Sequence, residues 1–165
     1  MKVPTPVNQP VRSFAPGSPE RAALKKCLAD LSARQIEIPL LIRGKEVRTG
    51  KTANAVMPHR HAHVLATWHK AGAREVEQAI AAALAAHREW SSWKFEDRAA
   101  VFLRAAELMA TIRCDELSAA TMLNQSKTAH QSEIDAICES IDFLRYNVYF
   151  AERIYRDQPI SPLGT

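Results

Sequence analysis

The residue type with the clearest potential for chemistry is a carboxylate set among aromatic rings. Advancing about 100° per residue from Ile134 gathers Ile137, Cys138, Ile141, Leu144, Val148, Ala151 and Tyr155 into one helical stripe. The same arithmetic puts Ala136, Phe143, Tyr146, Phe150 and Ile154 on nearly the opposite side, with Glu139 between them. A helix that is apolar on two sides wants protein on both. An acid on an aromatic face is paired, shifted in its titration or aimed at a cationic group. The competing reading is an ordinary solvated or salt-bridged glutamate, with Arg145 or a residue elsewhere as its partner.

Other reactive residues form weaker patterns. His59, His61 and His63 alternate, so an extended strand would bring three imidazoles to one face. No acid or cysteine lies close in sequence to complete a metal shell, and a polar turn between two strands is the expected reading. Cys27 and Cys138 fall on helix interiors and read as small hydrophobes. Cys114 falls near a helix junction, where exposure is expected, and no base accompanies any of the three. Their odd number and wide spacing argue for a reducing compartment, with the cytoplasm as the default. The glycines, at 17, 44, 50, 72 and 164, are too scattered to cradle a dinucleotide.

Composition narrows the class. The 165 residues are 47% apolar and 24% charged, as in a globular domain with a core of its own. The net charge of +4 comes from bases scattered among acids, which argues against a nucleic-acid partner. No apolar run approaches the ~18 residues of a membrane span, and Met1-Lys2-Val3-Pro4 lacks a secretory apolar region.

The elements that must position these residues are readable in outline. Pro4, Pro6, Pro10 and Pro16 predict an extended arm laid over a surface at residues 1–17, with a disordered tail as the equal alternative. Ser18-Pro19-Glu20 is a helix start, and the helix runs to about Ser32 with Ala22, Ala23, Cys27, Leu28 and Leu31 inward. Ile36 to Ile42, containing Pro39, suits one edge strand that turns at Gly44-Lys45 into a second around Glu46 to Arg48. A further strand pair, Asn54 to Pro58 and Val64 to Lys70, flanks the histidine loop. Helices follow from Ala73, with Val76, Ile80, Ala83, Leu84 and His87 at helical spacing, from Glu96 to Ile112, from Asp115 to Leu123 and from Thr128 to Arg156. An aromatic patch, Trp90, Trp93 and Phe95, separates the first two. Residues 158–165 read as a connector. The expected fold is mainly α with small β-hairpins.

The run AATMLNQSKTAHQSEIDAICESIDFLRYN at 119–147 resembles the N-terminal part of the 1-pyrroline-5-carboxylate dehydrogenases, a branch of the aldehyde dehydrogenase superfamily. The resemblance extends through APGSPER at 15–21, IPLLIRGKEVRTG at 38–50, VEQAIAAAL at 76–84 and QPI at 158–160. It implies that residues 18–165 are an incomplete N-terminal part of the NAD-binding domain of an α/β enzyme, lacking the Rossmann core. Such enzymes oxidise L-glutamate γ-semialdehyde to glutamate with NAD. A cysteine thiolate attacks the aldehyde, hydride passes to the nicotinamide and a water activated by a glutamate hydrolyses the thioester. By the family's order those catalytic residues and the NAD site come after Thr165, and none of the three cysteines matches the nucleophile's motif. The long helix is implied to be a substrate-channel wall. Glu139 matches the glutamate of the family's Ala-Cys-Glu-Leu-Ile-Asp-Phe motif, and Phe143, Tyr146 and Phe150 would be its apolar lining.

There are departures from the family pattern. Asn124 replaces a common glycine, at a position expected to tolerate left-handed backbone, and Ser132 and Ser140 replace alanine and leucine. The implied product is an N-terminal portion that is inactive alone and homo-oligomeric when complete, its partners being the rest of the dehydrogenase and a small aldehyde. The alternative is a free-standing helical module that docks through Phe143, Tyr146 and Phe150.

Overall fold

The computed structural model describes residues 3–160. Along the chain run α1 (Pro19–Ser32), β1 (Ile36–Ile38), β2 (Leu40–Ile42), β3 (Lys45–Val47), β4 (Thr52–Met57), β5 (Arg60–His69), α2 (Ala73–Ser92), α3 (Phe95–Ala110), α4 (Cys114–Gln125) and α5 (Ala129–Gln131). A π-helical segment (Ser132–Cys138) and α6 (Glu139–Arg156) complete the order. The last three join into one helix over residues 129–156. The expected connector lies partly outside the described residues, at 161–165.

The start of α1 follows its sequence signal: the Ser18 hydroxyl accepts from the Arg21 amide at 3.3 Å, and Pro19 occupies the first turn. The inward stripe differs from expectation. Leu24 is the buried residue and Ala22 is exposed, because spacings of four and three from Leu24 lead to Leu28 and Leu31.

The β-region also departs in detail. Pro39 splits the expected edge strand in two, since it has no amide hydrogen to extend a ladder. β1 pairs in parallel with β5, whereas β2 pairs antiparallel with β3. Between Ile42 and Lys45, Arg43 and Gly44 both take positive φ, as a two-residue hairpin turn demands. β4 and β5 are antiparallel in the sheet order β1-β5-β4. The expected loop over His59 to His63 is a turn of only Pro58 and His59: Met57 already faces Arg60, and register shifts around Val56 absorb the mismatch.

Two apolar clusters hold the helices. Ala106 of α3, Cys114 of α4, and Ile137 and Ile141 of the long helix form one, with Met109, Leu117 and Leu144 against it. Val3, Ala99 and Val148 form the other, with Phe95, Leu103 and Tyr149. By contrast α2 buries none of its residues, and Val76, Ile80 and Leu84 are 51%, 55% and 70% exposed. Among the described residues no helix is long and apolar enough to cross a membrane.

The π-helical segment changes the face arithmetic of the long helix. In it hydrogen bonds reach five residues back, so Ser132 stacks over Ile137 and Glu133 over Cys138. All four are buried, Glu133 to 1% exposure. A uniform 100° step leaves Glu133 at the rim of the stripe, and the wider turn brings it in.

Burying that carboxylate requires a counter-charge. The arm supplies it. Arg12 donates from Nε at 3.1 and 3.2 Å and from Nη2 at 2.9 Å to Glu133, and its backbone amide adds a fourth bond at 3.0 Å. Its Nη1 reaches Asp115 at 2.6 Å, while the Phe14 ring lies 4.9 Å from the guanidinium carbon. Burial pulls the Arg12 pKa down, but the bonds to Glu133 and Asp115 outweigh it and the net shift is upward. Beside this latch, Ser132 donates to the Ser118 carbonyl at 2.9 Å and the two hydroxyls lie 3.0 Å apart. The family departure at Ser132 is thus a buried hydroxyl with its bonds satisfied. From Arg12 the arm runs back along the helix to Val3, which packs against Val148.

Removing one partner of a buried pair strands the other. Arg12→Ala is expected to lower the unfolding free energy by about 3 kcal/mol, and Arg12→Met with Glu133→Leu by much less. Urea denaturation of the 165-residue chain checks this; equal losses in both variants would show that the charge pairing is not what holds the arm.

Candidate functional site

The arm and α6 together frame a groove of about 310 Å³, lined by Asn8, Glu139, Asp142, Phe143, Tyr146, Asn147 and Phe150. That volume suits a small metabolite and not a dinucleotide. The four residues singled out in the sequence are therefore brought together. Glu139 is exposed at the groove, and among the described residues its carboxylate has no hydrogen-bond or ion-pair partner. Arg145, the partner considered for it, instead donates to Gln9 Oε1 at 3.0 Å and the Val7 carbonyl at 3.4 Å. Phe143 and Phe150 are 61% and 48% exposed, and the Tyr146 and Phe150 rings stand 6.2 Å apart.

Asn8 and Asp142 also line the groove, Gln9 bonds to Asp142 beside it, and none of the three was picked out in the sequence. Asn8 donates to Asp142 Oδ2 at 2.7 Å and accepts from the Tyr146 hydroxyl at 2.9 Å. The Gln9 amide donates to Asp142 Oδ1 at 2.7 Å. These contacts span more than 130 positions in sequence, and periodicity carries no signal for them.

On the far side of Phe143 a second cavity lies between α3 and α6. Trp90, Phe95, Phe102 and Tyr155 wall it, and Arg98 donates to the Tyr155 hydroxyl at 2.9 Å. Of the expected aromatic patch, Trp90 and Phe95 line this cavity, whereas Trp93 packs on Trp90 outside it with ring centroids 5.3 Å apart.

The remaining candidates fall elsewhere. His59 pairs with the Ser126 hydroxyl at 3.0 Å, and among the described residues no group of three or more His, Cys, Asp or Glu is placed to hold a metal. Ser126, not Asn124, takes the left-handed backbone, with φ of 53°; Asn124 lies within α4. Cys114 is buried, contrary to the expected exposure, because the start of α4 turns it into the core. Burial pushes its thiol up to about 11 and raises those of Cys138 and Cys27 as well.

His69 is a buried residue that strand alternation alone did not reveal. Its Nδ1 accepts from the Gly50 amide at 3.3 Å, so Nε2 carries the proton given to Glu37 at 2.7 Å. That hydrogen bond, with a second from Arg48, holds the Glu37 carboxyl below its ordinary value. The cluster ties β1, β5 and the segment after β3 together and faces no cavity that combines it with the groove.

The strand-to-helix turn before α2 does not fit a dinucleotide's pyrophosphate. The single strand-to-helix turn that carries a glycine, at Gly72, has its helix N-terminus already filled by Glu75, whose carboxylate accepts from the Gly72 amide at 2.8 Å. A pyrophosphate there would meet a like charge.

The chain belongs to the aldehyde dehydrogenase family, whose model matches residues 46–163. Within it, the similarity is to Δ1-pyrroline-5-carboxylate dehydrogenases. The mitochondrial enzyme of Dictyostelium discoideum is 44% identical over 157 residues, 95% of this chain and 28% of that protein. The mitochondrial enzyme of Homo sapiens is 44% identical over 154 residues, 93% of this chain and 27% of that one. The enzyme of Mycobacterium tuberculosis, solved with NAD bound, superposes with a TM-score of 0.94 at 45% identity, covering 99% of this chain and 31% of its own. The chain thus spans about three-tenths of the length of these relatives.

Thiol labelling tests the cysteine assignments. Iodoacetamide at neutral pH is expected to modify Cys27 before Cys114 or Cys138, with the latter two reacting on unfolding. The raised value of Cys114 favours the neutral thiol in the fold. Its contribution to stability is therefore whole below the ordinary value of 9.0 and is lost as pH climbs toward about 11. Mass spectrometry and a pH series of melting curves read the two effects.

Proposed function

We propose that these residues are the N-terminal portion of a dehydrogenase that oxidises L-glutamate γ-semialdehyde to L-glutamate, and that they supply one wall of its substrate channel. The observation that carries this is 45% identity with a TM-score of 0.94 over 99% of the chain. In this reading residues 1–17 are an arm, and 18–165 are an incomplete part of the NAD-binding domain that lacks its Rossmann core. The catalytic cysteine and the NAD site belong to the rest of the enzyme, and no hydride step is assigned to the residues described above.

What these residues contribute is binding. Glu139 offers an unpaired carboxylate to the ammonium of the substrate. Phe143, Tyr146 and Phe150 flank the carbon chain and exclude water from it. The apolar faces left uncovered, including Val76, Ile80 and Leu84, are covered in the complete enzyme by its remainder or by another copy in a homo-oligomer. The reducing compartment argued from the cysteines is the cytoplasm or, as the names of the Dictyostelium and human relatives have it, the mitochondrion. The docking-module alternative finds no support in these relatives, which are named as dehydrogenases.

Joining residues 1–165 to the remainder of the Mycobacterium tuberculosis relative is expected to produce an enzyme that reduces NAD with glutamate semialdehyde, whereas the 165 residues alone do not. In that joined enzyme Glu139→Gln is expected to raise KM about fivefold and to leave kcat within about twofold, the size of a half-exposed ion pair. An unchanged KM would remove Glu139 from the substrate site.

A further inference from the structure

We infer that Asn8 is a specificity-determining residue of the groove: it engages one of two carboxylates, so that a ligand's ammonium finds a single carboxylate free of other hydrogen-bond donors. This rests on the reading of the groove as a substrate wall. Glu139 and Asp142 are three residues apart on α6 and therefore share a helix face, and both line the groove. Left alone, two neighbouring carboxylates would favour a dication, or a monocation in either of two registers.

The arm changes that count. Asn8 Nδ2 and the Gln9 amide each donate to a different oxygen of Asp142 at 2.7 Å, so both of its oxygens are engaged from the arm side. The same Asn8 amide accepts from the Tyr146 hydroxyl and orients that ring at the groove edge. Glu139 has no such partner among the described residues. Asn8 can do this because Arg12, four residues along, is latched to Glu133 and holds the arm against the helix. The ligand class this geometry selects carries one ammonium on a short carbon chain.

The probes are butylamine and the diamine putrescine, which share a four-carbon chain and differ by one ammonium. Their dissociation constants are read from chemical-shift titrations of the isotope-labelled 165-residue chain, with no turnover required. In the parent chain the two amines are expected to bind within about twofold of each other, shifting Glu139 and its neighbours. Asn8 is exposed, so Asn8→Ala leaves the core intact. That variant is expected to tighten putrescine about fivefold relative to butylamine. Mere loosening of the groove would weaken both amines together, leaving their ratio unchanged, and an unchanged ratio overturns the inference. Glu139→Gln separates the two levels. If it weakens butylamine while Asn8→Ala leaves the ratio unchanged, the groove reading stands and the role of Asn8 falls. If neither amine responds to Glu139→Gln, the groove reading falls and this inference goes with it.

Discussion

A carboxylate placed in a hydrophobic interior has to be met by a positive charge, and here the charge comes from more than a hundred residues away. Glu133 is 1% exposed, and no base on its own helix is turned toward it; Arg12 of the arm fills the role with hydrogen bonds from both its backbone and its guanidinium. The chain before α1 is thereby drawn along residues 129–156 instead of trailing into water. Val3 then reaches the second apolar cluster, and Asn8 and Gln9 reach Asp142. One buried acid sets the path of the arm, and the arm supplies one side of the groove.

Packing is uneven around this axis. The face of the long helix that carries Ile137, Ile141 and Val148 is buried, whereas the face that carries Phe143, Phe150 and Ile154 is open to solvent. The same holds for α2, whose stripe of Val76, Ile80 and Leu84 is more than half exposed among the described residues. Hydrophobic surface of this extent, distributed over several elements, is the pattern of a contact surface and not of isolated exposed side chains.

Much of the architecture was legible from local rules. The cap at Ser18, the succession of helices and the two-sided character of residues 129–156 follow from capping chemistry and a 3.6-residue period. So does the gathering of Glu139, Phe143, Tyr146 and Phe150, since α6 is regular from Glu139 onward. Illegible features have a common cause: each depends on a contact distant in sequence or on a break in regularity. Pro39 marks a strand interruption, but nothing local says that its two sides join different sheets. The burial of Glu133 depends on a change of helical pitch, and the roles of Asn8 and Gln9 depend on a latch that no window of residues contains. His69 looks like any strand residue until Glu37 and Gly50 are seen beside it.

The π-helical segment has a consequence for how the helix tolerates change in length. It holds one residue more than an α-helical path between the same ends would need. A chain shortened by one residue there could close into regular α-helix without losing its hydrogen-bond ladder. The two ends would keep their relative phase, because the wider turn is what takes up the extra residue, and closing it leaves the helix before and after the segment facing its present neighbours. Ile141 and Val148 would stay in the core and the aromatic side would still face outward, whereas Glu133 would lose the wide turn that brings it into the buried stripe. The wider turn, more than the identity of its seven residues, is what lets this helix carry an extra residue and still keep its two ends in phase with two different neighbours.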